Sequence, residues 1–505
     1  MIYVDIFLWE NRLGRLSWDD DKQYSHFVID SSFLGNKLDF APILLPINNI
    51  VPNQVYSYSE NRDSRCFVGL PPFIADSLPD KWGNRVFEHW AKMRGIKSSD
   101  ITPVDKLSFI GSRGMGALEF EPAMSVQDDA QDIQIQDLYA LAQRIFDERS
   151  EVSVLPEESI TMQRLYAVGT SAGGQHPKAI LAINSQTGEI RSGQLDWPQE
   201  YKYYILKFAE SSTFPHTQVE MAYYQMATNM GINMMPSQLK EIDGQYHFLT
   251  ERYDRQNGER IHTQTLAAMS ETACSYEDLM TVARKLDIPQ TEQEQLYKRM
   301  VMNILGGNVD DHTKNFSFML PRGGQWHITP AYDMTFTVDL NAMKYVNYHN
   351  LSVRGKVTNI LEEDLLAFAK DNSIKNATRI IDQVASILSK CWTYLTEAVV
   401  SRYWADKIEA HIAELLPERY KKNMLHSLPT KVSEYITNNG VCIRDIVLRE
   451  TRNGDLILSA FSEQEEKRWL INKKSSTFKD IKEKGWIHIE EKELIHLVET
   501  YLRLK

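Results

Sequence analysis

The sequence has little cysteine and no long hydrophobic run. Its four cysteines, Cys66, Cys274, Cys391 and Cys442, lie far apart, so the chain has neither a CxxC pair for zinc or redox chemistry nor a dense disulfide framework. Scattered thiols are typical of a reducing compartment. The apolar stretches are much shorter than a membrane span, and the first residues lack the basic and apolar segments of a signal peptide. We therefore expect a soluble cytoplasmic protein.

The sequence also lacks an excess of positive charge. It contains 56 Lys and Arg against 68 Asp and Glu, a net charge of −12, which is not the basic balance of a free-standing nucleic-acid binder. Hydrophobic residues make up 43% of the 505 residues, which is enough for a large core. This composition excludes a disordered chain, a fibrous repeat and a disulfide miniprotein, and the length favours roughly three domains.

The order of patterns along the chain predicts five segments. An α+β module is expected over residues 1–125, with a strand over 2–9, a turn over 10–14 and a return strand from Arg15. The acidic, polar residues that follow predict a linker and a helix over 126–150. The other segments are an α/β lobe over 151–255, a mostly helical lobe over 256–416 and an extension of unknown role over 417–505.

Two local features leave alternatives open. Gly111, Gly114 and Gly116 could form a phosphate loop, but without a following Lys-Ser/Thr a tight turn within the first module is favoured. The lysine-rich stretch over 467–484 favours a solvated face over a patch for nucleic acid or a partner.

The most informative stretch is a polar loop that follows a helical apolar stripe ending at Gly306-Gly307. Phosphoryl transfer requires a carboxylate to orient or deprotonate the attacking hydroxyl, an amide oxygen for magnesium, and a second carboxylate between the metal and the phosphates. Asp310, Asn315 and Asp333 have this order and spacing. Loops between rigid elements are where catalytic groups usually lie. The pattern therefore indicates a kinase-type site.

Upstream residues fit the same chemistry. Lys207 ends an apolar strand and Glu220 lies on the next predicted helix, so the two are expected to form an ion pair that places the lysine on phosphates. The loop over 169–174 is rich in glycine and can bring backbone N–H groups close to phosphate oxygens. Each residue alone has a common structural explanation, such as a cap or an edge-strand lysine, and an Asp/His metal site for hydrolysis is an alternative. The order of all the parts favours the kinase interpretation.

The sequence resembles the HipA family, the kinase toxins of bacterial type II toxin–antitoxin systems. The matching segments are Leu78-Pro-Asp, Phe109-Ile-Gly-Ser-Arg-Gly-Met-Gly-Ala, Thr170-Ser-Ala-Gly-Gly-Gln-His-Pro-Lys-Ala, Tyr204-Ile-Leu-Lys, Met230-Gly-Ile-Asn, Leu249-Thr-Glu-Arg-Tyr-Asp-Arg, Asn308-Val-Asp-Asp-His-Thr-Lys-Asn-Phe-Ser and Thr329-Pro-Ala-Tyr-Asp. The resemblance implies an α+β, two-lobed protein-kinase-like fold with an N-terminal HipA-type module and a mostly helical C-terminal lobe. Residues 151–255 would be its nucleotide-binding lobe and residues 256–416 its catalytic lobe.

The resemblance also implies roles for individual residues, with ATP and Mg²⁺ as cofactors. Asp310 would be the catalytic base, with His312 beside it and Lys314 before the metal-binding Asn315. Asp333 would hold magnesium with Asn315. The remaining implied roles are phosphate contact by Lys207 with its partner Glu220, adenine contact at a hinge by Glu251 and Tyr253, a phosphate-covering loop with Gly173 and Gly174, and autophosphorylation of that loop at Thr170 or Ser171.

The resemblance further implies partners. A HipB-like helix-turn-helix antitoxin would connect the chain indirectly to operator DNA, and the protein substrate would belong to translation, for example an aminoacyl-tRNA synthetase. Two alternatives remain at this point. One is a catalytically idle scaffold that binds an antitoxin and aids repression; the other is a small-molecule phosphotransferase on the same fold.

Overall fold

A computed structural model describes most of the chain. The described residues are 3–124, 135–147, 176–210, 214–340, 347–420, 431–436, 441–450, 456–462, 465–484 and 489–503. The chain divides into two compact units, Met1–Ile408 and Glu409–Lys505.

The first unit begins with an antiparallel sheet in the order β4-β3-β2-β1-β5. Its strands are β1 (Tyr3–Leu8), β2 (Asn11–Asp19), β3 (Tyr24–Ile29), β4 (Tyr56–Ser57) and β5 (Leu118–Glu121). Along β1, Val4, Ile6 and Leu8 are buried and alternate with more exposed residues. This period of two places one face of the sheet in a core.

The predicted turn over 10–14 is wrong. The turn consists of Trp9 and Glu10, whose φ angles are 48° and 63°, and β2 already begins at Asn11. Two successive positive φ values suit a two-residue hairpin turn, whose twist matches that of the strands. Gly14 lies inside β2, where a Cβ would stand 2.3 Å from the carbonyl oxygen of Val28. This glycine therefore marks a close approach between strands and not the end of a turn.

Helices of the N-terminal module follow the sheet. They are α1 (Ser31–Leu34), α2 (Pro72–Ala75), α3 (Lys81–Met93) and α4 (Pro103–Ile110), followed by α5 (Ile135–Asp147). The carboxylate of Asp80 caps α3 by accepting a 2.7 Å hydrogen bond from the Gly83 N–H. Thr102 and Asp105 form a reciprocal capping box at the start of α4. Polar caps thus fix where both helices begin.

A second antiparallel sheet, in the order β7-β6-β8-β10-β9, forms the upper lobe together with one helix. Its elements are β6 (Lys178–Asn184), β7 (Ile190–Ser192), β8 (Tyr201–Lys207), α6 (His216–Asn229), β9 (Ser237–Ile242) and β10 (Gln245–Glu251). One face of this sheet packs on α3 and α5 in a core that includes Trp82, Leu138, Ala179, Leu181 and Leu206. Because side chains alternate along a strand, Lys178 and Lys207 lie on the opposite face.

The lower lobe is mostly helical. Its elements are β11 (Arg255–Gln256), β12 (Glu259–Arg260), β13 (His262–Thr265), α7 (Leu266–Met269), α8 (Tyr276–Lys285), α9 (Gln290–Leu305), β14 (Ser317–Leu320), β15 (His327–Ile328), α10 (Glu362–Asp371), α11 (Ala377–Leu388), α12 (Cys391–Glu397) and α13 (Arg402–Leu415). The predicted apolar stripe, from Leu296 to Leu305, is buried on α9. The helix ends at Leu305, and the polar loop begins at Gly306.

The second unit contains an antiparallel sheet in the order β16-β17-β18-β19. Its elements are β16 (Lys431–Ile436), β17 (Cys442–Glu450), β18 (Leu456–Ser462), β19 (Glu465–Ile471), α14 (Ser476–Lys484) and α15 (Glu491–Arg503). Ile443, Leu458, Ile481 and Leu494 share a core. The lysine-rich stretch covers parts of β19 and α14, and both elements contribute apolar residues to this core.

None of the helices in the described parts of the chain is both long and apolar enough to span a bilayer.

Candidate active site

The ammonium group of Lys207 lies between two carboxylates. Its Nζ donates a 2.6 Å hydrogen bond to Oε1 of Glu220 on α6 and a second hydrogen bond to Oδ1 of Asp333. The side chains of Lys207 and Glu220 are 18% and 11% exposed. The structure therefore brings together a strand lysine, a helix glutamate and an aspartate that is 126 residues away from the lysine in sequence.

These contacts determine the charges at the site. Burial disfavours the charged lysine, but the Asp333 and Glu220 carboxylates outweigh it and raise the pKa of Lys207. Burial disfavours the charged carboxylate as well, yet the nearby charges of Lys207 and Lys178 hold the pKa of Asp333 below its usual value. The same burial raises the pKa of Glu220. Lys207 and Asp333 are thus a cation and an anion near neutral pH.

The polar loop begins where α9 ends. Gly307 has a φ of +69°, and a Cβ there would lie 2.9 Å from the ring of Phe336, so this position requires glycine. The hydroxyl of Thr337 accepts hydrogen bonds from the N–H groups of Val309 and Asp310, at 2.7 and 3.0 Å. The backbone that carries Asp310 is therefore fixed by a side chain from the segment after Asp333.

Asp310 presents an exposed carboxylate. Partial burial of the group raises its pKa, and the charges of Asp333 and Asp311 add to this effect while His312 opposes it. A raised pKa makes the carboxylate a better proton acceptor than an ordinary aspartate. An accessible carboxylate with a raised pKa is compatible with the predicted role of Asp310 as a proton acceptor.

Asn315 and Asp333 line one cleft, together with Asn303 and Asn308. The Asn315 side-chain amide donates to the Asp310 carbonyl oxygen at 2.7 Å, which leaves its Oδ1 as the atom for a ligand. Asp333 has a φ of 52°, a left-handed backbone conformation that is uncommon outside glycine. An amide oxygen and a carboxylate are suitable ligands for Mg²⁺, so the donor set fits this ion.

Asp311 is buried, whereas its neighbour Asp310 is exposed. It is completely buried and accepts hydrogen bonds from the Tyr276 hydroxyl at 2.6 Å and the Asn350 N–H at 2.8 Å. His349 Nδ1 lies 2.9 Å from the same carboxylate. Asp311 thus joins the polar loop to α8 and to residues 349–350. The sequence alone does not distinguish which of two adjacent aspartates faces solvent.

The predicted hinge lies at the end of β10. Glu251 is the last residue of this strand, and its carboxylate lies 3.5 Å from Lys202 Nζ. The ring of Tyr253 stacks on that of Tyr332, with centroids 6.0 Å apart and planes 17° apart. Because Tyr332 immediately precedes Asp333, this stack connects the hinge to the aspartate of the cleft.

His312 and Lys314 flank the turn before β14. His312 precedes the short 3-10 turn Thr313–Asn315 and lies near the two carboxylates of Asp310 and Asp333 in charge terms, where a protonated ring would lower the pKa of both. The Lys314 backbone carbonyl accepts a 2.8 Å hydrogen bond from the Tyr332 hydroxyl. The predicted loop residues Thr170, Ser171, Gly173 and Gly174 lie outside the described residues.

The sequence analysis missed a buried ionic cluster next to the hinge. The two Asp254 oxygens accept hydrogen bonds from Arg252 Nε and Nη2, at 2.9 and 2.8 Å. Arg255 Nη1 also donates to Asp254 at 2.8 Å. The N–H of Gly116 donates to Asp254 at 2.7 Å, and the Gly114 carbonyl accepts from Arg255 at 3.0 Å. The glycine turn of the N-terminal module is thus held by arginines, an arrangement that supports a tight turn and not a phosphate loop.

Lys178 is a second residue that the sequence analysis missed. Its ammonium group lies 3.5 Å from the Asp80 carboxylate, and its side chain is 4% exposed. The charges of Asp333 and Lys207 also act on it. The signal in the sequence is a lysine that closely follows the glycine-rich stretch, within the segment His176-Pro-Lys178.

Comparisons with known proteins identify related chains. The family described as the HipA N-terminal domain matches residues 4–121, and the HipA-like C-terminal domain matches residues 170–392. The protein Y4mE of Sinorhizobium fredii (strain NBRC 101917 / NGR234), which is named as a candidate kinase, is 22% identical over 373 residues, 68% of this chain and 83% of its own length. A candidate kinase of Haemophilus influenzae (strain ATCC 51907 / DSM 11121 / KW20 / Rd) is 23% identical over 197 residues, 35% of this chain and 55% of its own.

A solved structure shares this architecture. The Shewanella oneidensis MR-1 toxin–antitoxin complex of HipA, HipB and operator DNA contains a chain that matches with a TM-score of 0.58 at 17% identity. The match covers 83% of this chain and 97% of that chain. The α+β, two-lobed kinase-like fold expected from the sequence is confirmed. The two matching domains together cover most of the first unit, and the chain belongs to the HipA family.

Proposed function

We propose that the protein is an ATP-dependent serine/threonine protein kinase and acts as the toxin of a HipA/HipB-like toxin–antitoxin system. The observation that carries the proposal is the position of Lys207, which bridges Glu220 and Asp333, while Asp333 and Asn315 line one small cleft. A lysine held in this way can contact nucleotide phosphates, because its charge is retained although the site is buried.

The roles of the residues follow from their chemistry. Asp310 accepts the proton of the substrate hydroxyl, since its carboxylate is exposed and its pKa is raised. Lys207 balances charge on the phosphate oxygens, and Glu220 orients it. Asn315 and Asp333 would hold magnesium, which neutralises phosphate charge when bound. Glu251 and Tyr253 would border the adenine through the backbone of the hinge, while His312 and Lys314 would frame the base.

Membership of the HipA family supports the toxin–antitoxin setting of this proposal. The Shewanella relative is a HipA chain described in complex with HipB and operator DNA. By analogy, this chain would bind a HipB-like antitoxin and reach operator DNA through it, and its substrate would be a cellular protein such as an aminoacyl-tRNA synthetase. The intact set of Lys207, Asp310, Asn315 and Asp333 favours an active enzyme over an idle scaffold.

Phosphate transfer tests the proposal directly. The purified chain is incubated with γ-³²P-labelled ATP and Mg²⁺, alone and with a cell extract, beside Asp310→Asn. We expect label on protein with the wild-type chain and a rate about 10² to 10⁴ times lower with the variant, which keeps the side-chain shape but not the base. Asp339→Asn, a change at an exposed aspartate elsewhere in the same lobe, serves as the control. Transfer by Asp310→Asn at the wild-type rate would refute the role of Asp310.

A scaffold or a small-molecule enzyme would give a different result. If the chain neither labels protein nor turns over ATP, the catalytically idle scaffold is the favoured interpretation. ATP turnover with label on a small acceptor and none on protein would favour the small-molecule phosphotransferase.

A further inference from the structure

Two lysines from neighbouring strands lie directly opposite each other at the site. In the register of β6 and β8, Lys178 pairs with Lys207. Like charges at such positions repel and destabilise a sheet unless other charges compensate them. Lys207 has Glu220 as its compensating partner, 2.6 Å away. The corresponding carboxylate for Lys178 comes from another part of the fold, the N-terminal module.

That carboxylate is Asp80. Its Oδ2 lies 3.5 Å from Lys178 Nζ, while its Oδ1 accepts the capping hydrogen bond from the Gly83 N–H. The indole N–H of Trp82 donates a 3.0 Å hydrogen bond to the Lys178 carbonyl oxygen. The first turn of α3 therefore holds both the backbone and the ammonium group of Lys178. The Asp80 side chain is 14% exposed, so solvent screens this pair only weakly.

Asp80 and Lys178 each favour the charged form of the other. Burial disfavours the charged ammonium group and lowers the pKa of Lys178, while the charges of Asp80 and Asp333 oppose this effect. Burial likewise raises the pKa of Asp80, and the charge of Lys178 opposes this effect. Loss of the Asp80 charge would remove the carboxylate that lies 3.5 Å from the ammonium group of Lys178.

We propose that Asp80 is a positioning residue of the nucleotide site, supplied by the N-terminal module. It holds Lys178 in place, opposite Lys207, to meet the phosphates of a nucleoside triphosphate. The N-terminal module is then part of the catalytic machinery and not only a docking domain. This inference rests on the proposed function, because it requires that the cleft bind nucleotide phosphates.

Calorimetry on the full-length chain tests the inference. We measure the affinity for ATP with Mg²⁺ and for adenosine, which has no phosphates. Asp80→Asn removes the charge but retains an oxygen that can cap α3. We expect its Kd for ATP to rise about tenfold, as is typical of coupled charged neighbours, and its Kd for adenosine to stay within about twofold of the wild-type value. Asp105→Asn removes a carboxylate from the capping box of α4 and is the matched control, with unchanged affinities.

A double-mutant cycle separates positioning from a general structural effect. Lys178→Met should weaken ATP binding, and adding Asp80→Asn to it should change the Kd less than about twofold, because Asp80 acts through this lysine. Additive losses in the double variant, or an equal loss of adenosine affinity, would show that Asp80 merely supports the fold. Asp80→Ser, which also caps a helix, repeats the measurement if Asp80→Asn does not fold.

The outcomes distinguish the two proposals. If the wild-type chain binds neither ATP nor adenosine, the proposed function is wrong and this inference is wrong with it. If the wild-type chain binds ATP and Asp80→Asn binds it equally well, the proposed function stands and the role of Asp80 is refuted.

Discussion

The hydroxyl of Tyr276 donates a 2.6 Å hydrogen bond to the carboxylate of Asp311, and both residues are almost completely buried. Burial raises the pKa of Tyr276 well above its ordinary value, and the Asp311 charge raises it further, so the hydroxyl remains a donor. The contact fastens the polar loop of the site to α8. Asp310, one residue before Asp311, depends on this contact for its position.

Loss of the Asp311 carboxylate should loosen the loop. Asp311 accepts from Tyr276 on one oxygen and from the Asn350 N–H on the other, whereas an asparagine accepts on one side only. We therefore expect Asp311→Asn to lower stability by about 1–3 kcal/mol and to reduce kcat as well. Thermal unfolding and kinase assays measure the two effects. Tyr276→Phe removes only one donor and should have the smaller effect; equal stability of Asp311→Asn and wild type would contradict the assignment.

Magnesium dependence of nucleotide binding should identify the metal ligands. Asp333→Ala removes the carboxylate that lines the cleft, so nucleotide affinity should become nearly insensitive to Mg²⁺. Asn315→Ala should have a weaker effect, since an amide oxygen carries no charge. Calorimetry with Mg²⁺ and with EDTA measures the difference. An unchanged metal dependence in both variants would place the metal elsewhere.

Phosphorylation of the glycine-rich loop should silence the enzyme. A phosphate on Thr170 or Ser171 adds a charge of about −1.5 to −2, which would repel the γ-phosphate of ATP if the loop covers it. Mass spectrometry after incubation with ATP should detect phosphate on one of these residues, and ATP affinity should fall with its occupancy. The Thr170→Val and Ser171→Ala double variant should keep its ATP affinity after the same incubation. If the chain phosphorylated on this loop binds ATP with normal affinity, the prediction is wrong.

The buried cluster at the hinge should be essential for stability. Asp254 is fully buried and binds two arginines and the Gly116 N–H, so Asp254→Asn would leave the positive charges of Arg252 and Arg255 uncompensated. Removing one partner of a buried ionic group typically costs about 3–5 kcal/mol. Asp196→Asn is a matched control, because Asp196 pairs with Arg260 at an exposed position. Urea unfolding should show a large loss for the first variant and little change for the second.

Two buried histidines should make the fold sensitive to mild acid. Burial lowers the pKa of His247 and of His262 to about 4, from the ordinary value of 6.5. Between about pH 6.5 and pH 4 the unfolded chain binds protons at these positions and the folded chain does not, so stability should fall as the pH decreases through this interval. Melting temperatures across it measure the effect, and His262→Gln should reduce the slope. A flat profile in the wild-type chain would contradict the burial argument.

Much of the site could be predicted because its residues belong to short patterns with fixed chemistry. Local sequence patterns predict the spacing of Asp310 and Asn315 and the position of Lys207 on a strand, since each depends on local structure. The apolar stripe on α9 also predicted the helix that leads into the loop. The prediction that Gly14 ends a turn was wrong, because a glycine required by a close contact between strands cannot be distinguished locally from a glycine in a turn.

Contacts between distant segments could not be predicted from local patterns. Asp80 and Lys178 are 98 residues apart, and Gly116 and Asp254 are 138 residues apart. From its local sequence alone, each of these residues is predicted to be a helix cap, a surface charge or part of a turn. Only the packing of the N-terminal module on the rest of the first unit gives these residues their partners.

The core shared by α3, α5 and the upper-lobe sheet has a consequence for engineering. Trp82, Val86 and Leu138 cover an apolar sheet face formed by residues such as Leu181 and Leu206. A chimera that receives its first 125 residues from a distant relative would place unmatched side chains on this face and is expected to aggregate. Exchange of segments between relatives would therefore have to be confined to surface residues, with the helices that cover the sheet left in their native chain.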